Sequence, residues 1–362
     1  MPTWSGSWWL RRLTLLLGCA ACTLSPAALK PVVLLPVPDS ASVPDLTELL
    51  WSDIRRDSVA MAIVRTALTE NRDLRIAMLR VEQARQQYRI RTGALLPAID
   101  ATSSIAWTEG GSREQTSLSG SVDLVSWEVD LFGRLRSERT QAAEQYLSSE
   151  ATQRATRLSL ITNAATQYYA VLRAESQRQL AERTLAVRLD LLELIRALVR
   201  VGQTSELDLR SSEAQVQQAR ITALTAAREA ELARNALDVL VGQPVPRGTP
   251  SDSLFWTAAL TPRALPRAIP SEMLLRRPDL ARAEHDLLAA HADIGSARAA
   301  FFPRILLTGS TGSSSGSLQA LFGAGTGVWS FVPRVSVPLF RGSQNRANLA
   351  RTGRCPDHAR QL

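Results

Sequence analysis

The chain has 362 residues, 45% of them apolar, which is enough for one large domain or two ordinary ones with a sizeable buried surface. Its formal charge of +8 rests on arginine, Lys30 being the sole lysine, and the arginines alternate with Glu, Asp and Gln along helical faces. That pattern is a solvated helix surface and argues against nucleic acid as a partner. Cys19, Cys22 and Cys355 are spaced for neither a disulfide framework nor a zinc site.

The first element is an export signal. Two arginines, Arg11 and Arg12, precede an apolar stretch of nine residues, 13–21, too short to span a bilayer of about 30 Å as a helix. The stretch runs into cysteines, which points to lipoprotein processing. Cys22 has the longer apolar core before it and is the expected acylated residue; Cys19, preceded by Leu16-Leu17-Gly18, is the alternative. Residues 1–21 are thus the signal peptide. Residues 22–50, with prolines at 26, 31, 36, 38 and 44, form an extended tether.

Residues 51–241 form a first structural unit: a helix, a β-hairpin over 98–131 and a helical hairpin over 134–241. In the β-hairpin, Ile99, Ile105 and Trp107 alternate with small and polar residues. After a polar turn, Leu118, Val122 and Leu124 alternate, and a phase shift carries the pattern on through Val125, Trp127, Val129 and Leu131. From Arg134 to Val201 there is neither glycine nor proline, and a helix of that length suits a coiled coil. Its apolar seam reads Leu158, Ile161, Ala165, Tyr168 and Leu172. After a slip near Glu175 to Gln179 it resumes as Leu180, Thr184, Val187, Leu191, Leu194, Leu198 and Val201. Gly202 then stops the helix, Thr204 or Ser205 caps the next, and Glu206 and Asp208 favour the positive end of its dipole. The return helix has an alanine-rich seam: Leu209, Ser212, Val216, Ala219, Ala223, Ala226, Ala230, Ala233, Leu237 and Leu240.

Residues 242–270 read as a linker, and residues 271–350 as a partial second unit with a helix and a β-hairpin over 304–340. The two units are copies of one pattern. Leu95-Leu96-Pro97 and Phe301-Phe302-Pro303 each close a helix and open a strand pair, and the second strands end in Asp130-Leu131-Phe132-Gly133 and Pro338-Leu339-Phe340-Arg341. The class is therefore α+β, mainly α. No nucleophile–base arrangement or paired-carboxylate motif stands out, and His285 and His291 lie six apart on one helix, off ligand spacing. The expectation is a protein that is not an enzyme and has no cofactor or metal.

These stretches resemble the TolC-type outer-membrane factors of tripartite efflux pumps, in particular the OprM/NodT-type lipoproteins. The residues that carry the resemblance are Cys22-Thr23-Leu24-Ser25-Pro26, residues 74–97, Ser126-Trp127-Glu128-Val129-Asp130-Leu131-Phe132-Gly133, residues 202–209 (GQTSELDL), Leu275-Arg276-Arg277-Pro278-Asp279-Leu280 and Phe301-Phe302-Pro303. It implies a homotrimer, lipid-anchored in the cell outer membrane with a long periplasmic extension. Each protomer adds two β-hairpins to a shared outer-membrane β-barrel and paired helices to a periplasmic α-barrel. It also implies a periplasmic adaptor (membrane-fusion) protein and an inner-membrane RND-type transporter as partners, with the channel a passive duct for drugs or other small molecules. Carried onto this chain, the adaptor-contact tip is Gly202, Ser205, Leu207 and Asp208; the same motif could simply shape the turn. The alternatives are a coiled-coil periplasmic adaptor or a structural envelope lipoprotein, neither of which needs duplicated strand pairs. One departure stands out. The second copy has only 22 residues after Phe340, and Gly353, Cys355, Pro356 and His358 are expected to break the helix that begins near Asn345. Residues 351–362 then read as an aberrant C-terminus of a truncated or frameshifted copy, with poor trimer assembly and weak efflux expected.

Overall fold

A computed structural model describes residues 57–110, 113–246 and 276–359. Cys19, Cys22, the tether and most of the linker lie outside the described residues. The elements in chain order are α1 (Ser58–Glu70), α2 (Arg72–Gly93), β1 (Ile99–Gly110), β2 (Arg113–Val129), α3 (Arg134–Arg200), α4 (Glu206–Val241), α5 (Pro278–Ala299), β3 (Arg304–Ser315), β4 (Gly327–Ser336) and α6 (Gln344–Ala359). The described residues divide into two compact units, one of residues 57–79, 152–246 and 276–279, the other of residues 80–110, 113–151 and 280–359.

The first of these units is helical. Asp57 accepts hydrogen bonds from the Val59 and Ala60 amides at 2.9 and 3.0 Å and so caps α1. Asn71 accepts from the Leu74 amide at 2.9 Å, and its amide group donates to the Leu240 carbonyl at 2.7 Å, tying α2 to the end of α4. Ile63, Val64 and Ala67 of α1 pack with Leu160, Ala164 and Leu172 of α3 and with Leu237 and Val241 of α4 in a single apolar cluster. Tyr168 belongs to this cluster. Burial, and then the Asp57 carboxylate to which it is hydrogen-bonded, push its phenol up to about 12.

The helices α3 and α4 pack antiparallel. Gln167 donates to the Ala233 carbonyl at 2.9 Å and Arg188 to the Gln215 side chain at 2.8 Å, so positions advance on one helix as they recede on the other, and the long Arg234 side chain reaches along the interface to Glu175 at 2.8 Å. The seam expected on α4 is the buried one, at Ser212, Val216, Ala219, Ala223, Ala230 and Leu237. On α3 the outcome is split. Ile161, Ala165, Tyr168 and Leu172 are buried as expected, whereas Leu158 is exposed. Beyond the slip, however, Leu180, Val187, Leu194 and Val201 are 57–67% exposed, and the buried residues are Ala181 and Leu192, one position displaced from Leu180 and Leu191. The distal helix carries two neighbouring apolar stripes. The stripe with Ala181 and Leu192 is buried, and the bulkier Leu/Val stripe is exposed.

The second unit holds the sheet. Its strand order is β1-β2-β3-β4, antiparallel throughout, so the two hairpins join into one sheet through β2 and β3. The phase shift read in the sequence is a β-bulge: the β2·β3 register slips between Leu124 and Trp127, and Ser126 takes φ 43°. Two residues there oppose one on β3, so Trp127 and Val129 rejoin the face of Leu124 and Val122. The expected break near the C-terminus is absent, because α6 continues through Gly353, Cys355 and Pro356 to Ala359. Gly353 does not adopt the left-handed backbone that terminates a helix. A single proline removes only one donor, and Pro356 sits in the last turns, where little helix remains to be broken.

Candidate functional site: the hairpin tip and the two faces of the sheet

The tip between α3 and α4 is a tight, fully bonded turn. Gly202 adopts φ 71°; its amide donates to the Val199 carbonyl at 3.0 Å, and the Gln203 amide donates to that of Leu198 at 2.9 Å. This is the Schellman pattern, which closes a helix by giving its last carbonyls donors and requires a residue that tolerates positive φ. Ser205 then caps α4: its hydroxyl accepts from the Asp208 amide and the Asp208 carboxylate accepts from the Ser205 amide, both at 3.2 Å. The Ser205 and Thr204 hydroxyls donate to the same carboxylate oxygen at 2.6 and 2.8 Å. These hydrogen bonds, Ser205 first, hold the Asp208 carboxyl below its ordinary range. Three of the four tip residues read from the sequence therefore build the turn. Leu207 is the fourth; it is 78% exposed, an apolar side chain presented at the hairpin end.

The sheet has two unlike faces, which follow from strand register. Residues two apart share a face, so Thr102, Ser104, Ser119, Ser121, Asp123, Ser310 and Ser330 lie on one side. They bond across the strands: Thr102 with Ser121 at 3.0 Å, Ser104 with Ser119 at 2.8 Å, and Ser310 with Ser330 at 2.7 Å. Thr102 and Ser121 also donate to Asp123 at 2.6 and 3.0 Å. The opposite face carries Ile99, Ile105, Trp107, Val122, Trp329, Phe331 and Val335, all exposed. A contiguous exposed apolar face of this extent marks contact with a partner or a membrane. The strands are 12, 17, 12 and 10 residues long, against the roughly 9–11 that a tilted bilayer-spanning strand needs. Among the described residues no helix is long and apolar enough to cross a membrane.

The stretch Trp127-Glu128-Val129-Asp130-Leu131-Phe132-Gly133 forms the joint between the sheet and α3. The Trp127 indole donates to the Leu95 carbonyl at 3.1 Å. Glu128 receives Arg134 through two nitrogens at 2.9 and 2.6 Å, and Arg134 also pairs with Glu138, which Arg91 of α2 reaches at 3.2 Å. The hydrogen bonds to Glu128 raise the Arg134 pKa further, locking its charge. Asp130 accepts from the Arg136 amide at 2.9 Å, and Phe132 stacks on Phe302 with ring centroids 4.9 Å apart. A second tie joins α3 to α5, where His285 lies 2.8 Å from Glu144 and Ser148 donates to Asp286 at 2.5 Å. His285 is therefore a seam residue. The contacts of Trp127 with Leu95, Arg91 with Glu138, Phe132 with Phe302 and α3 with α5 join residues distant in sequence, whereas Glu128–Arg134 and Asp130–Arg136 are six apart.

Comparison with known proteins places the chain. It is 40% identical over 303 residues to the solvent efflux pump outer membrane protein SrpC of Pseudomonas putida, covering 81% of this chain and 64% of that protein. It is 34% identical to the cation efflux system protein CusC of Escherichia coli, covering 92% of this chain and 74% of CusC. The solved open state of the MtrE outer membrane channel of Neisseria gonorrhoeae superposes with a TM-score of 0.73 at 37% identity, covering 83% of this chain and 68% of that one. The chain thus spans about two thirds of the length of such relatives. The family model for outer membrane efflux proteins matches residues 63–243 and 269–356, and the chain belongs to the outer membrane efflux protein family.

Proposed function

We propose that this chain is a subunit of a trimeric outer-membrane duct that passively conducts drugs or other small molecules out of the cell. The observation that carries this reading is the two-faced sheet. One face is a ladder of hydroxyls and carboxylates suited to a water-filled lumen, and the other is aliphatic and aromatic, suited to lipid. The four strands among the described residues cannot close a barrel, which needs about eight. Several chains must therefore share one, with β1 and β4 as the joining edges. The outward Leu/Val stripe of α3, and the groove beside it lined by Leu180, Thr184, Ile221 and Thr225, offer apolar surface to neighbouring helices in a periplasmic tunnel. The relatives' names bring efflux of solvents and cations into range, and the particular cargo follows from the pump that the duct serves. No chemistry is required of the duct, because an inner-membrane RND-type transporter supplies the energy and a periplasmic adaptor joins the two. The test is reconstitution of the purified protein in planar lipid bilayers. Discrete, voltage-stable conductance steps support the duct. A trimer that binds the membrane without conducting would favour a structural envelope lipoprotein.

The tip carries the adaptor contact, and its division of labour makes the test sharp. Leu207→Asp leaves Gly202 and the Ser205–Asp208 capping box intact but places a charge where the apolar side chain stood. Drug resistance in a strain dependent on this duct should fall to the level of the deletion strain, with the amount of outer-membrane protein unchanged. Full resistance would show that the motif merely shapes the turn. At the other end, Cys22 carries the lipid anchor. Cys22→Ser should abolish incorporation of radiolabelled palmitate, whereas Cys19→Ser should preserve it; the reverse pattern would assign the anchor to Cys19.

A further inference from the structure

The internal repeat makes one contact inside the chain whose counterpart the chain cannot make with itself. Phe132, where the second strand of the first copy runs out, stacks on Phe302, where the second copy leads into its first strand, at 4.9 Å and 24°. Under the repeat, Phe132 corresponds to Phe340 and Phe302 to Leu96. These two equivalents are open. Phe340 is 89% exposed, its neighbour Leu339 is 93% exposed, and Leu96 is 68% exposed. The strands beside them are open as well. β1 and β4 are the two ends of the sheet, and every residue of β4 is exposed. An edge strand next to uncovered aromatic residues is a surface that a folded protein covers.

We propose that Phe340 of one chain packs on Leu96 of a second copy, repeating between chains the Phe132–Phe302 joint within the chain. The proposal rests on the shared-barrel reading above and adds the residues that seal it. If β4 of one copy lies antiparallel beside β1 of the next, the step from the first hairpin to the second is the same as the step from one chain to its neighbour. Such a head-to-tail contact closes into a ring when its rotation closes. The Phe340–Leu96 joint then sits at each junction where barrel strands give way to helices. An aliphatic side chain in place of the second ring still fits, because the contact is apolar packing against one face of Phe340.

The test uses the full-length protein in outer membranes with Cys355→Ser as background. Leu96→Cys and Phe340→Cys are introduced together, and a short bismaleimide is added. The expected result is a covalent ladder of dimer and trimer on denaturing gels, while either single substitution stays monomeric. Mixing the two single variants in one cell should give dimers. Phe132→Cys with Phe302→Cys serves as the internal control and should produce a faster-migrating cross-linked monomer. Trimers captured by glutaraldehyde together with an absent Leu96–Phe340 ladder would overturn this junction and leave the shared barrel standing. Absence of trimers by both reagents would overturn the junction and the shared barrel alike.

Discussion

Glu175→Ala should destabilise the α3–α4 hairpin by about 1–3 kcal/mol, more than any surface charge deletion in the molecule. Glu175 is 5% exposed and sits at the point where the apolar seam of α3 slips phase. Its carboxylate pairs with Arg178 one turn along the same helix and with Arg234 across the interface at 2.8 Å. Arg178 also reaches Glu182 at 2.6 Å, and Arg234 reaches Glu231 at 3.2 Å. Removing the carboxylate leaves two guanidinium groups at the seam with only peripheral partners. Both arginines keep some access to water, which places the cost below the roughly 3–5 kcal/mol of breaking a fully buried pair.

The same site sets a pH dependence with a definite sign. Hydrogen bonding from Arg178, opposed by burial, holds the Glu175 carboxyl below its ordinary value of 4.5 in the folded chain. The unfolded state therefore takes up a proton first as pH falls, and stability drops with it. The contribution is fully present above about pH 5 and is lost as pH falls below the ordinary value of 4.5 and through the lower folded one. Thermal melts followed by helical circular dichroism should show an acid limb in the wild-type protein that is shallower in Glu175→Gln. Identical acid limbs would remove Glu175 from the account. A double-mutant cycle with Arg234→Met should return a coupling of about 1 kcal/mol or more, since the two side chains touch directly.

Most elements were legible because their signals are local. The absence of glycine and proline over residues 134–200, the Gly202 stop and the Ser205 cap are each settled within a turn of helix, and α3 and α4 begin and end at those marks. The bulge was legible as a phase shift, since the side-chain period of a strand is two and one extra residue inverts it. The α3 stripe that faces α4 could not be read in the same way. Periodicity reveals a stripe, and the distal half of α3 carries two; which of them is covered is decided by tertiary packing, with Ala181 and Leu192 buried and Leu180 and Val187 exposed. The pairing of β2 with β3, the Trp127–Leu95 hydrogen bond and the Phe132–Phe302 stack are likewise non-local. At the tip, geometry separates Gly202, Ser205 and Asp208, which make the turn, from Leu207, which is presented.

Gly312→Val should abolish assembly of the barrel while Gly120→Val, on the facing strand, is tolerated. Among the described residues, the two hairpins are hydrogen-bonded into one sheet through β2 and β3, and Gly312 pairs with Ser121 in that ladder. A β-carbon at position 312 would meet the Gly120 carbonyl oxygen and lie 2.6 Å from the Ser121 α-carbon. Both obstacles are backbone, so no side-chain rotation relieves them. Separating the strands is the remaining way out, and it costs the ladder bonds on either side along with the clash itself, about 3 kcal/mol or more per chain. A shared barrel incurs that cost in every subunit at once. At Gly120 a β-carbon meets nothing within 4 Å. Valine favours strands and should sit there at little cost. The measurement is the trimer yield in outer membranes on mild-detergent gels, read beside total protein so that degradation is separated from failed assembly. Trimer should fall more than tenfold for Gly312→Val and stay within twofold of wild type for Gly120→Val. Equal yields for the two would mean that the hairpins do not need the β2·β3 ladder to assemble. They would then enter the barrel as independent pairs, and the four-stranded sheet would cease to be its building block.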